Sequence, residues 1–133
     1  SLGGRGFPNA AIEMTNGWKG YRYMVHNPEY REGIARVEAR LRRKPLYFIP
    51  KKDVPAMEGK LQNGDIISIV SRDGDAYATS HVGLAYRTAD GVIHLMHASS
   101  PKNAGKVIID SRISEYLARF PRHAGIMVAR PLK

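Results

Sequence analysis

The sequence contains no cysteine among its 133 residues. Disulfides and thiolate metal sites are therefore excluded, and so is a cysteine nucleophile within the chain. Long apolar runs are missing too. Nothing approaches the ~20 residues that a membrane-spanning helix needs. Residues 1–20 lack the basic-then-apolar pattern of a secretory signal. Acidic residues are scarce, with 12 Asp plus Glu against 21 Lys plus Arg, for a formal net charge of +9. Such a surplus favours polyanionic partners: nucleic acid, an anionic envelope or acidic substrates. The chain is not poor in core-forming residues. Apolar types make up 43%, which argues against whole-chain disorder, and the length suits one domain rather than two.

Residues 1–20 read as irregular, since SLGGRGFPNA is rich in Gly and Pro and Asn16-Gly17 is a turn signal. Residues 1–26 form a lead-in, and 27–133 the body. A helix is expected from about Asn27 to Arg43, with Asn27 as N-cap and Pro28 at the first helical position. Tyr30, Ile34, Val37 and Leu41 make one apolar stripe along it. Pro45 ends it. LYFIP (46–50) reads as a strand or extended segment, and Asp53 as the cap of a short helix over 54–60. From Asp65 onward the texture is β. IISIV (66–70), HVGLAYR (81–87), VIHLMHA (92–98), KVIID (106–110) and AGIMVA (124–129) are strand candidates. One late helix at 111–120 is capped by Ser111 or Ser114. The class is α+β, with a mainly antiparallel sheet of about five strands flanked by helices.

Of the five histidines, His81 and His97 carry the strongest chemistry. A hairpin around Ala89-Asp90-Gly91, pairing residues whose numbers sum to about 178, sets them opposite each other, with Cβ atoms about 4.5–5.5 Å apart. One imidazole then orients the other. His94 has the opposite parity and faces the other side of the sheet. For that reason His94-x-x-His97 makes a poor zinc pair, no metal site is expected, and no cofactor is implied. Ser80 and His81 face opposite ways, and no serine sits in a strand-to-helix elbow. Arg36–Lys52 is strongly basic and interleaved with Tyr47 and Phe48, yet no nucleic-acid motif accompanies it.

LQNGDIISIV (61–70), SHVGLAY (80–86) and IHLMHASS (93–100) stand in the order and spacing of a known family. Together they resemble the NlpC-like peptidoglycan hydrolases, the bacterial branch of the papain-like cysteine peptidases. YFIPKKDV (47–54), KVIIDSRISEYL (106–117) and GIMVARPL (125–132) bring the chain closer to the N-acetylmuramoyl-L-alanine amidase-like branch. The resemblance implies a papain-like, NlpC-like core. It implies His81 as the catalytic base and His97 as its orienting partner. Asp65, Tyr86 and Ser99 are expected to line the substrate cleft. It further implies a peptidoglycan or muropeptide substrate and a location outside the bacterial cytoplasm, in the periplasm or beyond. The family's nucleophile is a Cys upstream of the sheet, so the chain is expected to be the C-terminal, His-bearing part, inactive without a Cys-bearing N-terminal segment. A non-catalytic wall- or peptide-binding module is the alternative, and a basic nucleic-acid-binding domain a lesser one.

Overall fold

In the computed structural model, residues 4–132 are described. Ser1–Gly3, the start of the expected lead-in, and Lys133 lie outside the described residues. The chain divides into two units, residues 6–46 and a larger one made of 1–5 and 47–133.

The smaller unit is helical from residue 13 onward, including 13–26 where irregular chain is expected. It carries α1 (Glu13–Asn16), a single 3-10 turn at Trp18–Gly20, α2 (Arg22–His26) and α3 (Tyr30–Arg42). α1 has no local cap. Its free N–H groups at Met14 and Thr15 instead donate to the Glu38 carboxylate, at 3.0 and 2.9 Å. The Thr15 hydroxyl donates to it as well. That hydrogen bond, despite the cost of burial, holds the Glu38 carboxyl below the usual range. The cap arrives from more than twenty residues away, so local sequence could not announce it. α3 begins three residues later than expected. Asn27 does not cap it, and its side-chain amide donates back to Tyr23 O in α2, 2.8 Å. The expected apolar stripe is largely uncovered: Tyr30, Val37 and Leu41 are 48%, 42% and 41% exposed.

The larger unit holds most of the sheet. Seven strands are present rather than five: β1 (Arg5–Phe7), β2 (Leu46–Pro50), β3 (Ile66–Asp73), β4 (Ala76–Arg87), β5 (Ile93–Ala98), β6 (Val107–Arg112) and β7 (His123–Ala129). Their order is β1-β2-β7-β3-β4-β5-β6. The pairings from β2 through to β6 are all antiparallel. Ile67 and Ile69 of β3, Ala85 of β4, Ile93 and Leu95 of β5, and Ile126 of β7 share one buried core. Two short helices, α4 (Val54–Met57) and α5 (Ile113–Ala118), close it with Val54, Met57, Ile113 and Leu117. Each such side chain taken fully out of water contributes roughly 1.5–3 kcal/mol. Neither Ser111 nor Ser114 caps α5. Glu58 does so, accepting from Ser114 N–H and from its hydroxyl, both at 2.9 Å. Asp53 precedes α4 but makes no side-chain cap.

The β4–β5 hairpin turns where expected, with Gly91 at φ +83°, a backbone state that suits glycine. Its register is shifted by two residues, from pairs summing to 178 to pairs summing to 180. Leu84 faces Met96 and Arg87 faces Ile93, which brings Gly83 rather than His81 beside His97.

Among the described residues, three register shifts interrupt the sheet, each beside a polar residue. Ile69 pairs with His81 but Val70 with Thr79, so Ser80 is the extra residue. Val70 pairs with Gly125 but Ser71 with His123, so Ala124 is extra. His94 pairs with Arg112 and Met96 with Ile109, leaving Asp110 and Ser111 between. Bulges of this kind bend a strand and re-aim its side chains.

Candidate active site

His81, His97 and His123 line one cavity of about 390 Å³, together with Ser71, Ser80, Ser99 and Tyr116 among others. Three elements deliver the histidines: β4, the end of β5 and the start of β7.

His81 Nε2 lies 2.8 Å from His97 Nδ1. The rings meet edge to face, with centroids 4.9 Å apart. His97 Nε2 lies 2.8 Å from Asp110 Oδ2. His97 is only 8% exposed, and both its nitrogens are engaged. Asp110 in turn accepts from Arg119 Nη2 at 2.6 Å and from Ser111 N–H at 2.7 Å, both through Oδ1. Arg119 Nη1 reaches Oδ2 at 3.3 Å. The result is one continuous line, His81–His97–Asp110–Arg119.

Hydrogen-bond geometry orders the protons along this line when both rings are neutral. Burial alone would raise the Asp110 pKa. Hydrogen bonds from Arg119, His97 and Ser111 outweigh it and hold the carboxyl far below its ordinary value. Charge-assisted hydrogen bonds of about 1.5–3 kcal/mol each suffice against a desolvation cost of several kcal/mol. Asp110 is therefore ionised and can only accept, so His97 carries its proton on Nε2. With the His97 ring neutral, its Nδ1 is an acceptor and His81 donates to it from Nε2. The His81 lone pair is left on Nδ1, which has no hydrogen-bond partner among the described residues. Burial, and then the neighbouring His97, lower the His81 pKa, so its ring is neutral near pH 7.

The shifted register makes this contact diagonal, and Gly83 makes room for it. A Cβ on Gly83 would stand 2.7 Å from Met96 O, 2.8 Å from Leu95 Cδ1 and 3.1 Å from His97 Cβ. Gly83→Ala should therefore push β5 away and lengthen the His81–His97 bond. Overpacking of this kind costs about 1–3 kcal/mol. Chemical denaturation should read that loss, and histidine NMR a weakened ring–ring hydrogen bond. An unchanged midpoint and unchanged histidine spectra would contradict it.

Other expected site residues stand elsewhere. Asp65 is 1% exposed and takes no part in the cavity. Its carboxylate accepts two bonds of 2.7 Å from Arg130 and one of 2.8 Å from Gln62 N–H. It clasps the start of β3 to the residue after β7. Tyr86 faces the opposite side of the sheet from His81, paired with His94. Neither is among the residues that line the cavity around His81 and His97. Ser99 does line it, and its hydroxyl also accepts from Ala104 N–H at 3.2 Å. His94 faces away from His97, as its parity requires, and its Nδ1 donates to Asp110 O at 2.7 Å. Among the described residues, no group of His, Asp and Glu is arranged to hold a metal ion.

Asp110, Arg119, Tyr116 and His123 were not singled out from the sequence. Tyr116 packs edge-on to His97 at 5.3 Å and stacks on His123 at 5.5 Å. His123 Nδ1 is buried without a hydrogen-bond partner among the described residues, and burial lowers its pKa.

The N-acetylmuramoyl-L-alanine amidase-like (AmiA-like) family model matches residues 8–126. The chain belongs to that family. No curated protein matches it. Among solved structures, an N-acetylmuramoyl-L-alanine amidase from Bacteroides uniformis is 26% identical, with a TM-score of 0.73 over 95% of this chain and 52% of its own. A Bacteroides fragilis protein labelled as a candidate xylanase is 27% identical, with a TM-score of 0.69 over 93% of this chain and 53% of its own. This amidase-like chain thus spans about half the length of those two. A Legionella pneumophila protein, 22% identical with a TM-score of 0.51, shares the fold alone.

Proposed function

We propose that this chain supplies the base of a cysteine amidase acting on peptidoglycan fragments, outside the cytoplasm. The observation that carries the reading is the His81–His97–Asp110 line, which leaves one unpartnered lone pair, on His81 Nδ1. Membership of an amidase-like family supports it. No cysteine lies within the 133 residues, so the thiol would come from outside them.

His81 Nδ1 takes the thiol proton, and the thiolate attacks the amide carbonyl carbon. His81 then returns the proton to the leaving amine as the C–N bond breaks. Water, deprotonated by the same nitrogen, releases the acyl group from sulfur. His97 keeps the His81 ring in the tautomer with its proton on Nε2. Through both half-reactions Asp110 stays ionised, stabilising positive charge that develops on the imidazole pair.

The test is reconstitution. Joined to a cysteine-bearing segment from the family, the chain should cleave amide bonds in purified muropeptides, and iodoacetamide should abolish the cleavage. A folded reconstituted protein that never cleaves them would overturn the proposal. Retention on sacculi without cleavage would favour a binding module instead.

A further inference from the structure

A second, strongly basic groove of about 350 Å³ adjoins the cavity, and His123 lines both. Arg5, Lys51, Lys52 and Arg72 line it around Tyr77, with no Asp or Glu among the lining residues. None of the four cations pairs with a carboxylate among the described residues. The arrangement is built rather than scattered. The Arg5 and Arg72 guanidinium groups stand 5.5 and 5.7 Å from the Tyr77 ring centroid. Lys51 Nζ donates to Phe120 O at 3.1 Å, and Phe120 is itself a wall of the first cavity. That tether sets one ammonium group at the join between the two.

Four like charges along one concave surface repel one another, and an incoming anion relieves that repulsion. Guanidinium forks and ammonium groups both recognise carboxylates, by paired hydrogen bonds and as point charges respectively. The shared wall at His123 means that one extended molecule can occupy both hollows. We propose that the groove binds carboxylates on the peptide arm of the molecule whose amide is cut at His81. The identity of that molecule rests on the amidase reading. Binding in the groove does not, because it needs no nucleophile.

The 133-residue chain is titrated with a synthetic muropeptide bearing free carboxylates, and with the same compound fully amidated, while backbone amide NMR shifts are followed. The free-acid form should move the signals of Lys51, Lys52, Arg72 and Tyr77. Amidation should weaken binding about tenfold or more, and so should Lys52→Glu/Arg72→Glu. The milder Lys52→Gln/Arg72→Gln pair should act in the same direction, which guards against a folding defect in the reversal. Arg40→Glu/Lys44→Glu makes the same change of net charge at residues that do not line the groove and should change affinity less than about twofold. Equal binding of both compounds, no binding of either, or equal losses in the groove and control pairs would overturn the proposal. If the groove selects carboxylates while the reconstituted protein never cleaves, the amidase reading fails and the groove assignment stands.

Discussion

His81→Ala removes amide cleavage from the reconstituted enzyme. The expected fall in kcat/KM is about 10³-fold or more, because a positioned general base contributes roughly 10²–10⁴ and the groups of such a relay act as a unit. Without it a thiol of ordinary pKa, about 8.5, is mostly protonated at neutral pH. The pH profile carries a second expectation. Burial and the His97 ring hold His81 below the ordinary imidazole value. The base form therefore persists further into acid than a free histidine's would, and the acid limb of kcat/KM should fall below about pH 6.5. Substitution leaves His97 Nδ1 without its donor, a loss of about 1–3 kcal/mol that a denaturation curve will show. A folded His81→Ala enzyme with wild-type turnover would remove His81 from the mechanism.

Asp110→Asn should cost nearly as much, for a subtler reason. At the Oδ1 position the side chain meets two donors, Arg119 Nη2 and Ser111 N–H. An asparagine would turn its carbonyl oxygen toward them, presenting its NH₂ to His97 Nε2. His97 would then carry its proton on Nδ1 and donate to His81 Nε2, and the His81 proton would move to Nδ1. The one nitrogen able to serve a thiol would no longer be basic. A wrong tautomer of this kind lowers kcat by about 10²–10⁴. KM should change little, since Asp110 does not line the cavity. Nitrogen-15 NMR of the chain alone gives an independent readout. Wild-type His81 should show its proton on Nε2, and the variant on Nδ1. A kcat loss with the His81 tautomer unchanged would make Asp110 merely structural.

Much of this was legible in the sequence. The apolar strands, the Asp90-Gly91 turn and the parity of His94 against His97 follow from periods of two and from turn chemistry. The meeting of His81 with His97 was also legible, though it arises through a diagonal contact rather than direct opposition. Register in a hairpin is set by the type and length of the turn, and the Ala89-Asp90-Gly91 pattern alone fixes neither. Asp110 carries no local signal of its place, because His97 and Arg119 come from β5 and from just past the end of α5. The ion pair of Asp65 is equally hidden, since its partner Arg130 lies 65 residues away. The caps supplied by Glu38 and Glu58 are hidden for the same reason. Both are acids that local reading assigns to solvent.

Gly83 gives the relay a portable definition. The ring-to-ring bond spans a diagonal of the hairpin only because the position between the two histidines holds no side chain. His81, Gly83 and His97 therefore form a single three-position module, and its middle member contributes by its emptiness. Grafting the two histidines alone onto another antiparallel hairpin would fill that gap with a Cβ and force the strands apart. A designer who moves all three together, and places an acid beyond the second ring, transfers the proton-orienting device with its geometry intact.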